Sequence, residues 1–463
     1  MERGPYKLED LTALRHPDPG LVTQQEIKDP RLQLMGSWKK IRVKGIAPRQ
    51  GFASFVWNSR LYVLGGEKNA LPGPWYRDFH YIDLKDPEAG WRALPAYPVS
   101  PERRPPNARA YFLHGRSTLD VFDLRTDTWS QVKTKMAPGS GPWPLESSYN
   151  DFCIALVRRT LFVFGGTTNW ALGGTCSSRS TSTPPLDAPG RPSRGGVQPD
   201  FGWPGPRKHA MMWADAAKEK LWMMYGEADR AGAMQLGQMQ HAANESYVHS
   251  DCWSWDIARR EWQQERINGN PPCPRAEAGV AHNEKLGKVV VFGGYNAAVP
   301  TLHDRRFYFH FSYYADTFVL ETKPADNSPP YWRQVITRGW PTYRAQCKLV
   351  ADPDTGEMYL FGGYTNSEYI KGRRDVITRP YGDLWQLRLD VPGGGFEDVD
   401  LAEETRSARA GPWRRCFGCG AGGPGAGLKK CAGGCAGKAV FCDAECLKQG
   451  WKEHKEKDKC KKL

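Results

Sequence analysis

"KVVVFGGYN", residues 288–296, is an apolar run closed by two adjacent glycines. Short β-branched and aromatic runs bounded by glycine are strand signals. The same pattern stands at "LYVLGG" (61–66), "LFVFGG" (161–166) and "MYLFGG" (358–363), with weaker copies at "AYFLHG" (110–115) and "LWMMYG" (221–226). The six copies recur at intervals of roughly 50 to 70 residues, which marks a repeat array. Other features fall in register with the glycines. An arginine precedes four of the pairs at a near-constant distance: Arg49, Arg207, Arg275 and Arg344. After the pair comes a segment of the form Asp-apolar-x-apolar, as in "RDFHYIDL" (77–84), "SDCWSWDI" (250–257), "ADTFVLET" (315–322) and "GDLWQLRL" (382–389). A tryptophan then opens a last short run, at Trp91, Trp129, Trp262 and Trp332. Each complete unit therefore predicts four antiparallel strands, and the fold class is all-β. The 49 glycines and 36 prolines suit such a turn-rich chain.

This register resembles the kelch repeat, whose copies form the blades of a β-propeller. The resemblance covers residues 36–390 and implies six blades. The sixth unit ends at "GDLWQLRLD" with no tryptophan strand behind it, while an orphan one, "GSWKKIRVKG" (36–45), precedes the first. The residues around Trp38 are therefore expected to supply the outer strand of the last blade, closing the ring so that no long edge stays open. The arginines and tryptophans of the repeat read as structural. Two blades read as incomplete. The second has too few residues between Arg109 and its glycine for a first strand, and the third passes from "FVFGGTTN" (162–169) into a Ser/Pro/Gly-rich insert at about 171–206, a composition of disorder. Either the ring tolerates a half blade with a long loop, or the sequence here departs from a correctly spliced product. Residues 1–35 form an N-terminal extension.

The chain has 12 cysteines, and seven of them follow residue 415. The start, "MERGPYKLED", lacks the apolar stretch of a secretory signal, and no run is long enough to span a bilayer. The expected compartment is cytoplasmic and/or nuclear, where clustered thiols act as metal ligands rather than disulfides. Cys416, Cys419, Cys431, Cys435, Cys442, Cys446, His454 and Cys460 make eight ligands, enough for two closed tetrahedral sites. Thiolate and imidazole donors select zinc over hard cations. Four protein ligands per ion leave no position for substrate, so both zinc ions are expected to be structural. A module this small and this rich in glycine and lysine needs metal to fold.

The tail, with "FC-x3-C" followed by "W-x2-HK" and a final cysteine, resembles a MYND zinc finger over residues 416–460. The resemblance implies interleaved ligands: Cys416, Cys419, Cys442 and Cys446 on one zinc, and Cys431, Cys435, His454 and Cys460 on the other. It also implies that Trp451 contacts proline-containing peptides of partner proteins. Leu447 stands where the family often has glutamine, and Gly450 where it often has aspartate. Cys442 and Cys446 are spaced for one face of a helical turn, and "CLKQGWKEHKEK" is expected to be a short helix. A linker, 391–415, precedes the finger, and its glycines suggest a hinge.

These parts predict a non-enzymatic adapter in which propeller loops and finger each recruit a protein. The alternative is a nucleic-acid-associated regulatory protein using the basic zinc module. The net charge is +13, but seven thiolates on two zinc ions would remove three charges from the basic tail. The remaining excess reads as a solvated surface, and nucleic acid is the weaker partner class. Catalysis is not expected, because no separate catalytic domain is visible and the other histidines have no ligand spacing. Cys153, Cys176, Cys252, Cys273 and Cys347 read as ordinary thiols.

Overall fold

Apart from the run of the second unit, each apolar run of the repeat becomes the second strand of its unit. The computed structural model describes residues 30–41, 43–68, 75–97, 112–113, 118–133, 153–157, 160–164, 191–192, 199–200, 204, 207–215, 217, 219–229, 246–303, 306–338, 341–366, 378–397, 399, 416–417, 428–435 and 439–461. Strand β1 spans Gln33–Ile41. The first unit is a four-stranded antiparallel sheet of β2 (Ala53–Trp57), β3 (Arg60–Leu64), β4 (Phe79–Asp83) and β5 (Arg92–Leu94). The second has three strands, β6 (Phe112–Leu113), β7 (Thr118–Asp123) and β8 (Thr128–Lys133), and the third is the hairpin β9 (Cys153–Val157) and β10 (Thr160–Phe164). A two-residue ladder, β11 (Arg191–Pro192) with β12 (Pro199–Asp200), sits inside 171–206. The rest of that segment, and the disorder expected of it, lie outside the described residues apart from Pro204, as do residues 1–29.

The fourth unit pairs β13 (Met211–Asp215), β14 (Lys220–Met224), β17 (Cys252–Asp256) and β18 (Glu261–Gln264), with a hairpin of β15 (Glu227–Asp229) and β16 (Ser246–Val248) projecting after its glycine. In the fifth, β19 (Gly279–Asn283), β20 (Lys288–Phe292), β23 (Thr317–Glu321) and β24 (Tyr331–Arg338) flank the hairpin β21 (Tyr295–His303) and β22 (Arg306–Tyr313). The sixth has β25 (Lys348–Ala351), β26 (Met358–Phe361) and β29 (Leu384–Leu389), with the hairpin β27 (Tyr364–Asn366) and β28 (Thr378–Pro380). The run that opened the reading, β20, is buried on both faces. Val290 and Phe292 enter one apolar cluster, and Val289 and Val291 another.

The orphan N-terminal strand completes the sixth unit. β1 pairs antiparallel with β29, placing Trp38 opposite Leu387. It begins at Gln33, three residues before the boundary expected from the repeat. It also runs parallel to β24, Gln33 opposite Gln334, a pairing the repeat pattern does not contain. Trp38 reaches the fifth unit, donating from Nε1 to Thr317 Oγ1 at 3.0 Å and meeting Phe292 edge-on. The result is one eight-stranded sheet, β19-β20-β23-β24-β1-β29-β26-β25. Its two ends come side by side: a Cβ on Gly279 in β19 would lie 3.2 Å from Leu349 Cβ in β25. The fold is thus mostly β with a nearly closed, barrel-like sheet. No helix among the described residues is long and apolar enough to cross a membrane.

The repeated arginines explain their own periodicity. Arg49, Arg207, Arg275 and Arg344 are all 0% exposed. Each donates from Nη1 to the carbonyl of the first residue of its pair, Gly65, Tyr225, Gly293 or Gly362, at 2.9–3.0 Å. Each also forks onto the aspartate that heads the next segment: Asp78, Asp251, Asp316 or Asp383. A bidentate guanidinium–carboxylate pair fixes both strands at once. Neighbouring units are tied by the residues two places after these arginines. Glu277 N–H donates to the His209 carbonyl at 3.2 Å, and Gln346 N–H to the Glu277 carbonyl at 2.9 Å. The Glu277 carboxylate accepts from Gln346 Nε2 and the Tyr364 hydroxyl and lies 3.2 Å from His209 Nε2. Burial and the Glu277 charge hold the Tyr364 phenol well above its usual range, so it stays a donor.

The glycine pairs are required where backbones cross. At Gly363, φ is +89° and a Cβ would lie 2.6 Å from the Ala345 carbonyl oxygen and 2.8 Å from Cys347 N. Gly287 is also left-handed, at +61°, but its nearest neighbour would be 4.0 Å away. Gly363→Ala is therefore expected to cost more than about 2 kcal/mol, and Gly287→Ala only the backbone strain of about 1–2 kcal/mol. Urea midpoints of the two variants check the order.

Candidate metal centre

The chain after residue 390 is tightly placed where it is described. Leu389 N–H donates to Gly394 O at 2.9 Å and Asp390 N–H to Met35 O at 3.0 Å, while Phe396 is buried. The glycines expected to act as a hinge here form a turn against β1 and β29 instead. Residues 400–415 lie outside the described residues.

The C-terminal module is built from a small ladder and one helix. β30 (Lys429–Lys430) pairs with β31 (Val440–Phe441), and α1 spans Ala444–Asp458. Asp443 caps the helix, its carboxylate accepting from Cys446 N–H at 2.8 Å, as expected for an extended residue before a helix. Cys442 therefore precedes the helix and Cys446 lies in its first turn. The two do not share a helical face, as their spacing suggested. Gly450 is tolerated inside the helix.

Four donors converge in one place: Cys431, Cys435, His454 and Cys460 bring their ligand atoms within 4.8 Å of one another, and all four are buried. Cys431 Sγ and Cys460 Sγ are 3.8 Å apart. Gly433 lets the loop close over them, since a Cβ there would lie 2.8 Å from Cys460 Sγ. Burial, with the neighbouring Cys435 and Cys431 thiols, pushes the Cys460 thiol up to about 11. A dication held by the four ligands would reverse that shift and take the thiolate. Cys416, Cys442 and Cys446, the first group in chain order, converge within the same 4.8 Å limit, and the four donors above make the second group. Cys442 N–H donates to Cys416 Sγ at 3.3 Å, and Gly433 N–H to Cys431 Sγ at 3.4 Å, the contacts that suit thiolate ligands. Cys419 lies outside the described residues. The two groups interleave along the chain, and each could hold a metal ion.

Aromatic rings surround His454. The ring centroids of Phe417, Phe441 and Trp451 lie 5.3, 5.8 and 5.8 Å from its own. Trp451, half-buried, thus packs on a ligand, and Leu447 is partly buried beside it. The sequence reading missed Phe417 as a packing residue. Its signal was its place directly after Cys416, matching Phe441 directly before Cys442. Arg379, at the end of the sixth unit's hairpin, donates from Nη1 to the Phe417 carbonyl at 3.0 Å.

No family model matches the chain. Among solved structures, it is similar to one titled "Structure of YjhT", with 12% sequence identity and a TM-score of 0.40, over 74% of this chain and 95% of that one. The expectation that the chain is not an enzyme is corrected at this point. It rested on the absence of a separate catalytic domain, and the match to YjhT stands against that exclusion. A likeness of this degree assigns no activity to the chain.

Proposed function

We propose that residues 36–390 form a six-bladed kelch-type β-propeller and residues 416–460 a MYND-type finger with two structural zinc ions. In this reading the protein is an adapter, whose propeller loops hold one protein and whose finger recruits another through a proline-containing peptide. The observation that carries it is the interleaved convergence of seven Cys/His donors in a module with little apolar core. Soft thiolate and imidazole donors suit zinc, and the four of the second group leave no open coordination position there. The repeated Arg–Asp forks and the ring-closing β1 support the propeller reading.

In this reading the finger's partner surface centres on Trp451, half-buried on the helix that carries His454. Full-length zinc-loaded protein is expected to bind a labelled Pro-Leu-Pro-containing peptide, measured by fluorescence anisotropy. Trp451→Ala should weaken it by about 30-fold or more, as for a central aromatic anchor, while zinc content stays at two per chain. Equal binding by the variant would move the peptide site away from Trp451. No binding by the wild type would remove the peptide from the proposal.

A further inference from the structure

We infer that the finger clasps the strand that closes the β ring, and that Lys40 of that strand is an outer partner of the first metal site. β1 is the one N-terminal strand in the eight-stranded sheet, held between β24 and β29 of the last two units. Without it, that sheet would separate into two four- and three-stranded pieces. The finger meets this seam at Lys40 and the neighbouring hairpin of the sixth unit at Arg379. Lys40, opposite Trp385 in the β1–β29 ladder, donates from Nζ to Cys446 Sγ at 3.4 Å. Arg379 holds the Phe417 carbonyl, with its guanidinium carbon 5.7 Å from the Phe417 ring centroid. Finger residues Cys416, Ala439 and Phe441 also join the same buried cluster as Trp38 and Trp385.

The chemistry of the Lys40 contact depends on the metal. A zinc ion held by the Cys416, Cys442 and Cys446 thiolates carries a net charge of at least minus one, and an ammonium donating to one of those sulfurs offsets part of it through a charge-assisted hydrogen bond. The sulfur is placed to accept only while the finger is folded, and the finger folds around its metal. Zinc in the finger should therefore steady β1, and a seated β1 should in turn tighten the hold on zinc, since coupling between two sites is reciprocal. This inference rests on the zinc reading proposed above.

The test is amide hydrogen exchange on the full chain, zinc-loaded and after chelation, with zinc content measured on each sample. Zinc should slow exchange across 33–41 on the order of tenfold, within the usual range of coupling between sites. Residues 211–215, in the fourth unit, should show no change. Lys40→Met should keep two zinc ions per chain and lose most of the zinc-dependent slowing at 33–41. Equal exchange of 33–41 with and without zinc would overturn the clasp, and a Lys40→Met chain that kept the full slowing would overturn the role of Lys40. A wild-type chain that took up no zinc would overturn the zinc reading along with the clasp, so the two failures are told apart by metal content.

Discussion

Arg344→Met is expected to destabilise the protein by about 3–5 kcal/mol, the usual cost of removing one partner from a buried ion pair. Arg344 is 0% exposed, and Asp383 lies beside it with a side chain only 5% exposed. The guanidinium donates to both Asp383 oxygens, at 2.6 and 3.0 Å, and to the carbonyls of Gly362 and Thr342. Methionine fills the space but leaves a buried carboxylate and two buried carbonyls without that donor. Trp385 Nε1, 2.7 Å from Asp383 Oδ2, compensates only in part. The change is read from the urea midpoint, with Arg259→Met as the comparison. Arg259 is 77% exposed and 4.0 Å from Asp256, so its loss should cost less than about 1 kcal/mol. Equal effects at the two positions would refute the view that these forks hold the repeat together. Arg344→Met combined with Asp383→Leu should recover part of the loss, because the uncompensated charge is then gone.

One of these forks, Arg207 with Asp251, sets a response to acid. Burial of Asp251 opposes its charge, but Arg207 beside it more than offsets this and holds the carboxyl well below the usual range. An unfolded aspartate titrates near 3.9, so this pair's contribution is complete above that pH and is lost as pH falls toward the folded value. Arg207→Met should flatten the acid limb of the stability profile.

These pairs mark what was legible in the sequence and what was not. The arginines, the glycines and the aspartate-headed segments are each visible as periodic residues, because four of the six units repeat them at a similar spacing. Their connection is not visible, since Arg344 and Asp383 are 39 residues apart and no local pattern joins them. β1 was legible by a gap: the sixth unit lacks an outer strand and the N-terminus carries a spare one. Its second pairing, with β24, arises only from how the fifth and sixth units meet. The convergence of seven Cys and His side chains was legible because coordination needs particular residue types at short spacings. The Lys40–Cys446 contact spans 406 residues and involves one lysine among many, so only the fold reveals it. The start of α1 was misjudged because an i, i+4 cysteine pair suggests a helix, whereas Asp443, by accepting from Cys446 N–H, fixes the start after Cys442.

The largest effect expected of all is the loss of the finger on zinc removal. Its buried apolar side chains are few: Ala439, Val440 and Phe441, beside five buried cysteines and His454. The helix carries "AECLKQGWKEHKEKD", mostly charged, and at 15 residues it would be marginal alone in water. Under the zinc reading proposed above, metal binding supplies the folding energy, and structural zinc in small modules contributes about 10–16 kcal/mol near neutral pH. Chelation of the full chain should abolish most of the helical circular dichroism, because α1 is the one α-helix among the described residues. The strand signal should remain. His454→Ala removes a ligand from the second group and the ring that Phe417, Phe441 and Trp451 pack against. It should lower zinc from two ions per chain to one or none. Cys419→Ser decides whether Cys419 completes the first group. If it does, mass spectrometry under native conditions should find the first ion lost and the second kept. Two ions retained by Cys419→Ser would leave Cys416, Cys442 and Cys446 to draw their fourth ligand from elsewhere. A helix that survives chelation would mean that packing on the sixth unit, through Arg379 and Phe417, already suffices to fold the finger.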